Sequence, residues 1–181
     1  MRWCIAETCC VALVVAVAAA GCGSDPEPKP EPKPEPTRLQ ITVSATDDVN
    51  PDANGAPSPI VMRLYLLRGS SAFAAAEFFA LWGKEEAVLA RDLVSREEMV
   101  IRPGQTTALK STVDPDARLV AIAAAYQGID HATWRAMAPL SPAQTNTFKV
   151  QLSRGAVILQ PVPRKDGTEK PADDKNKKEE K

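Results

Sequence analysis

The run Ile60-Val61-Met62-Arg63-Leu64-Tyr65-Leu66-Leu67 decides the fold. It is nearly continuous in apolar residues, broken only by Arg63, and reads as a central β-strand buried on both faces. Just before it, residues 45–59 hold Asp47, Asp48, Asn50-Pro51, Asn54-Gly55, Pro57 and Pro59. These are turn formers, so this stretch is a long loop. Ahead of the loop, Leu39-Gln40-Ile41-Thr42-Val43-Ser44 alternates strictly and predicts a half-buried strand. Downstream, Ser71 is placed to cap a short helix over 72–82, with Phe73, Phe78, Phe79 and Leu81 buried and Gly83 as its stop. Residues 85–94 suggest a second helix. A short strand over 98–102 ends at the Pro103-Gly104 turn, residues 106–113 return, and Asp114-Pro115-Asp116 turns the chain again. Residues 117–126 form the most apolar strand, whose Ala121, Ala123, Ala124 and Ala125 let a second layer approach closely. Residues 134–138, 147–152 and 156–160 supply three more. Eight short strands with one helical insert predict an all-β sandwich.

Composition narrows the function. The chain has 181 residues, with 22 Lys and Arg against 23 Asp and Glu, for a net charge of −1. A phosphate-binding domain needs a basic excess, so nucleic acid is not its partner. The single His, His131, lies beside Asp130 in a turn. It excludes His-rich metal sites and reads as an exposed turn residue rather than half of a charge relay. There is no Gly-rich phosphate loop and no Gly-x-Ser-x-Gly elbow. The adjacent acids Asp47-Asp48, Glu85-Glu86 and Glu97-Glu98 read as solvated surface. Trp82 and Trp134 read as core or core-edge aromatics. No catalytic residue, metal ligand or cofactor is expected, and the chain is read as a non-enzyme.

The N-terminus is a targeting segment. Arg2 and the α-amino group precede an apolar run that begins at Cys9 and stops at Gly21-Cys22. The run suits a signal peptide and falls short of the roughly 20 apolar residues of a spanning helix. Ala19-Ala20-Gly21-Cys22 resembles the bacterial lipoprotein box, with Ala19 where Leu is usual. The resemblance implies cleavage after residue 21, diacylglycerol on the Cys22 thiol and an acylated α-amine. Several acyl chains, at about 0.8 kcal/mol per buried methylene, make a durable anchor. Gly23 stands where an Asp retains such proteins in the inner membrane, so it implies sorting to the outer membrane.

The expected organisation follows. Residues 1–21 are the signal peptide and residues 22–36 are the lipidated Cys with a tether in which Pro alternates with Glu and Lys. That alternation favours polyproline II and a semi-rigid, solvated spacer of roughly 30–40 Å. Residues 37–163 form the sandwich, electrically neutral with 12 charges of each sign, and residues 164–181 form a charged tail too poor in apolar side chains to fold. Cys4, Cys9 and Cys10 leave with the signal peptide and Cys22 is alkylated, so the mature chain has no thiol for a disulfide or a nucleophile.

The domain itself resembles the type VI secretion lipoproteins, the TssJ or VasD-like family, over residues 39–140. The resemblance rests on Asn50-Pro51 with Gly55 and Pro57, then Pro59 with the 60–67 strand. Phe73, Phe78 and Leu81 follow in the helical insert, then Leu89-Ala90-Arg91-Asp92-Leu93, Pro103-Gly104, the 117–126 strand and Trp134-Arg135. Tyr126 stands where Phe is common and Gln127 where Arg is expected. The resemblance implies a transthyretin-like sandwich of two four-stranded sheets, held in the periplasm under the outer membrane. It implies docking to the periplasmic C-terminal domain of TssM, with TssL an indirect partner in the membrane complex that anchors the contractile apparatus. The family's first long loop contributes to partner contact, which here gives Asp48, Val49, Asn50 and Pro51. The alternatives are a transthyretin-fold enzyme, opposed by the single His, and an unrelated outer-membrane lipoprotein such as a pilotin or an adhesin-like module.

Overall fold

The computed structural model describes residues 35–163. Eight strands form: β1 (Arg38–Ala45), β2 (Ile60–Leu67), β3 (Leu93–Ile101), β4 (Thr106–Thr112), β5 (Leu119–Ala124), β6 (Arg135–Pro139), β7 (Thr145–Leu152) and β8 (Val157–Pro161). They make two four-stranded sheets, ordered β4-β1-β7-β8 and β3-β2-β5-β6. Pairing is antiparallel except between β1 and β7, which run parallel from Arg38 opposite Thr145 to Ala45 opposite Leu152. The 60–67 strand is central in its sheet, as its apolar run predicts.

The inner faces of the sheets share one apolar core. Leu39, Ile41 and Val43 of β1 and Phe148, Val150 and Leu152 of β7 meet Met62, Leu64, Val120 and Ile122 from the other sheet. Alternation then turns Tyr65, Leu67, Ala121 and Ala123 to the outer face of β3-β2-β5-β6, where they meet Phe73, Leu81 and Leu89. Those last three belong to the helical insert, α1 (Ser71–Ala75) and α2 (Phe78–Leu89). The layer that approaches Ala121 and Ala123 is therefore the insert, and Ala124 faces the opposite sheet.

The insert departs from the sequence reading in five ways. The expected helix over 72–82 is broken at Ala76 and Glu77, both extended, and Ser71 lies inside α1 without a side-chain cap. The break has a distant cause: the Arg135 guanidinium of β6 donates to the carbonyls of Phe73 (3.2 Å) and Ala76 (2.6 Å), which the helix would otherwise use. Gly83 does not stop α2; it precedes a kink at Lys84 (φ −142°, ψ 43°), and the helix resumes to Leu89. Phe79, expected inside, is 73 % exposed. The expected helix over 85–94 ends at Leu89, followed by a 3-10 turn, because Leu93 onward pairs with β2 as strand β3.

Strand direction sorts the connections onto two poles. One pole collects the loop 46–59, the 102–105 turn, the 125–134 connection and the 153–156 turn. At the other pole the chain enters β1 at Arg38 and leaves β8 at Pro161. Strands of eight residues place the poles about 25 Å apart.

Candidate partner-binding pole

The loop 46–59 is built as a braced unit. The Thr46 amide donates to the Leu152 carbonyl (2.9 Å) and the Val49 amide to the Thr46 carbonyl (3.2 Å), closing its first turn. Asp52 organises the tip: its Oδ1 accepts the amides of Asn54 (2.8 Å) and Ala56 (2.9 Å), and its carbonyl accepts the Gly55 amide (2.9 Å). Gly55 sits at φ 84°, a conformation that favours glycine.

Asn50 joins the two ends of the loop. Its φ of 48° is left-handed, which Asn tolerates better than most residues, and it is only 3 % exposed. Its Nδ2 donates to the Pro59 carbonyl (2.9 Å) and to Ser58 Oγ (3.2 Å), and Ser58 Oγ donates back to the Asn50 carbonyl. Its Oδ1 accepts the amide of Gln127 (2.8 Å), across the pole. Every polar atom of the side chain is thus used, which suits a buried amide.

The four loop residues singled out from the sequence divide by orientation. Val49 is fully buried in the inter-sheet core and Asn50 is buried in the network just described. Pro51 is half-buried and Asp48 is exposed, accepting a hydrogen bond from Thr46 Oγ1 (2.6 Å). The exposed tip is Ala53, Asn54, Gly55, Ala56 and Pro57, of which the sequence marks Asn54, Gly55 and Pro57 as turn formers but none as a partner contact. Cys22 and Gly23 lie outside the described residues, as do the signal peptide, most of the tether and the tail.

Neighbouring turns brace the loop from the side. The Ala45 amide donates to the Gln105 carbonyl (2.9 Å) and the Gly104 amide to the Thr46 carbonyl (3.3 Å). Gly104 has φ 69°, which favours glycine, and a Cβ there would lie 2.6 Å from Asp47 Oδ1 and push that carboxylate aside. Gln127 Nε2 reaches Ser58 Oγ (3.1 Å), and the Thr133 amide reaches the Gly155 carbonyl (2.9 Å).

A second polar site lies beneath the insert. Arg63 donates to Glu98 (2.7 Å), to Glu85 (3.1 Å) and to the Trp82 carbonyl (2.8 Å), and its guanidinium lies 4.0 Å from the Trp82 ring centroid. Arg96 pairs with the other Glu85 oxygen (2.8 Å) and the Tyr65 hydroxyl donates to Glu85 (2.9 Å). Burial pushes the Tyr65 phenol up to about 12, and the nearby Glu85 carboxylate pushes in the same direction. These groups satisfy one another and clamp α2 to the sheet at its kink. A cleft of about 490 Å³ at the opposite pole, between Ala138, Asn146, Phe148 and Val162, has no titratable side chain in its lining among the described residues. The loop pole presents an exposed surface whose backbone is held by internal hydrogen bonds.

Known proteins agree with this frame. The family model described as type VI secretion lipoprotein, VasD, EvfM, TssJ and VC_A0113, matches residues 37–155. The crystal structure of the type VI lipoprotein TssJ1 from Pseudomonas aeruginosa is 34% identical, with 71% of this chain and 98% of that chain covered and a TM-score of 0.69. Serratia marcescens Lip, described as a membrane-bound component of the type VI secretion system, is 30% identical over 70% of this chain and 97% of its own, with a TM-score of 0.62. A chain from the structure described as the type VI protein TssM C-terminal domain from EAEC is 25% identical, over 67% of this chain and 99% of that one, with a TM-score of 0.58. No curated protein sequence matches the chain. With its eight strands, helical insert and braced first loop, the chain belongs to the type VI secretion lipoprotein family.

Proposed function

We propose that the protein is a docking module of the type VI membrane complex. Its loop pole binds the periplasmic C-terminal domain of TssM, and lipid on Cys22 holds it to the outer membrane, with sorting set by Gly23. TssL joins the same complex through TssM rather than by touching this chain. The role is mechanical, without catalysis or a cofactor beyond the covalent lipid. The observation that carries the reading is the likeness to nearly the whole of a chain in a structure described by the TssM C-terminal domain. The fold supports it: the chain enters β1 at Arg38, at the pole opposite the loop. A loop already fixed by Asn50 and Asp52 loses little freedom on docking.

Calorimetric titration of the TssM periplasmic domain tests the docking. Ala53→Arg places bulk and charge on the exposed tip without touching Val49 or Asn50. It should weaken binding about 10-fold, or about 1.4 kcal/mol. Unchanged affinity would remove the loop tip from the interface. Cys22→Ser should move the protein out of the outer-membrane fraction, and its continued presence there would refute the lipid anchor.

A further inference from the structure

We infer that the open edge of β4 is a self-association surface, on which a second copy of this chain lays its own β4 antiparallel across a two-fold axis. An edge strand leaves backbone groups unpaired, and folds guard such edges with short length, Pro, charge or a bulge. The two sheets have four edge strands, β3, β4, β6 and β8. Three are guarded. β3 has a bulge at Val94, where the register shifts between Leu66 and Leu67, and carries Arg96, Glu97 and Glu98 in succession. β6 and β8 span five residues each and end at Pro139 and Pro161. β4 has none of these devices. It runs seven residues without Pro, keeps an unbroken register against β1 from Thr106 to Thr112, and has Lys110 as its one charge. With one edge open per chain, the assembly closes at two copies.

The ladder with β1 fixes which backbone groups of β4 face away from it. The Val113 amide donates to the Thr37 carbonyl (2.9 Å) and the Ala45 amide to the Gln105 carbonyl (2.9 Å), which brackets the ladder and sets its phase. Bonding residues alternate in an antiparallel pair. Thr107, Leu109 and Ser111 therefore turn their amides and carbonyls to β1, and Thr106, Ala108, Lys110 and Thr112 turn theirs outward. A second β4 centred on Leu109 meets this phase. Ala108 then exchanges hydrogen bonds with Lys110 of the second copy, and Thr106 with Thr112 of the second copy, so every outward group of the strand is paired. The side chains fit the same register. Lys110 stands opposite an alanine rather than its own counterpart, so no like charges meet. Half-buried Leu109 stands opposite itself on the core-side face, at a cleft of about 310 Å³ between the β3 and β4 edges that Met99 and Ile101 also line. Glu97, the one charged residue of that lining, is exposed. The domain carries 12 charges of each sign over residues 37–163, so no net charge opposes a second copy.

Sedimentation over a micromolar-to-millimolar series tests this with the mature chain, residues 22–181, carrying Cys22→Ser to remove its thiol. The unaltered edge should give a monomer–dimer equilibrium and no larger species. Ala108→Pro deletes an N–H that points away from β1, so circular dichroism should stay native while the dimer weakens at least about 10-fold. Ala108→Glu sets a carboxylate opposite Lys110 of the second copy, in two symmetry-related pairs, and should tighten the dimer about 3- to 10-fold. Ala108→Lys should weaken it by a similar factor. Leu109→Cys, whose two copies would have Cα atoms about 4.5 Å apart, should oxidise to a disulfide-linked dimer. Ser111→Cys, which faces Thr107 of the second copy, should not. A chain that stays monomeric throughout the series overturns the inference. So does a dimer insensitive to every substitution at Ala108, which places the contact elsewhere. If Ala108→Glu and Ala108→Lys weaken the dimer alike, Lys110 is not the facing residue and the antiparallel register is overturned. None of these readouts involves TssM, so the docking proposed above stands or falls separately.

Discussion

On its inner face the sheet β3-β2-β5-β6 presents Met62, Leu64, Val120 and Ile122 to the other sheet. On its outer face the same two central strands present Arg63, Tyr65, Ala121 and Ala123 to the helical insert. The inner seam is closed by matching volumes, and nothing in it requires a particular partner atom. The outer seam is closed by small alanines that admit a helix and by a charged clamp that holds the helix at its kink. The inner seam therefore sets global stability, whereas the outer seam sets whether the insert stays down.

The largest effect is expected from the inner seam. Ile122→Ala removes a fully buried side chain at the sheet-to-sheet contact and should cost about 3–4 kcal/mol. Urea unfolding followed by circular dichroism should show one cooperative transition at a lower midpoint, since both sheets lean on the same core. A loss below about 1 kcal/mol would mean that the seam relaxes around the gap and is not closely packed.

The outer seam should respond locally. Arg63→Met removes a guanidinium that touches Glu85, Glu98 and the Trp82 carbonyl, leaving the half-buried Glu85 with Arg96 as its remaining charged partner beside the Tyr65 hydroxyl. We expect a cost of about 2 kcal/mol. Amide hydrogen exchange should quicken along α2 while β1 and β7 keep their protection. Adding Glu85→Leu to Arg63→Met should recover part of that loss, because an apolar pair of similar volume avoids the desolvated charge. Equal acceleration in both sheets would show that the insert is not an independent layer.

This division also explains what the sequence could reveal. The inner seam depends on alternation within each strand, and residues 39–44, 60–67 and 117–126 announced their strands because their periodicity is local. The outer seam depends on contacts far apart in the chain. Nothing near Ala76 indicates that Arg135 takes the α1 carbonyls, so one helix was expected where two exist. Residues 93–97 carry Ser95, Arg96 and Glu97, whose charges suit a helix surface as well as an edge strand, and only pairing with β2 decides between them. The loop pole was legible in part. Its turn formers marked the loop, but which residues face inward is fixed by Ser58, Pro59 and Gln127, and no local pattern distinguishes Asn50 as a buried tie from Asn54 as part of the tip.

The smallest expected effect separates the two seams by pH. Tyr65, in the outer seam, has its phenol pushed up to about 12 by burial. Tyr126, in the inner seam, is also raised by burial. A raised folded value means that the folded chain keeps a proton which the unfolded chain releases from about pH 10. Stability contributed in this way is complete below pH 10 and is lost as pH climbs through the folded value. From pH 9 to pH 11, each such tyrosine should account for roughly 1 kcal/mol of the fall in unfolding free energy. Tyr65→Phe should flatten that fall by about this amount, after a constant cost of about 1 kcal/mol for the lost hydrogen bond to Glu85. Tyr126→Phe should flatten it as well. Hydrogen exchange tells them apart: in wild type at pH 11 the α2 amides should open before those of β1 and β7, and in Tyr65→Phe that early opening should disappear. An identical fall from pH 9 to pH 11 in wild type and Tyr65→Phe would show that the Tyr65 phenol stays protonated in neither state, and that the clamp around Glu85 does not exclude water.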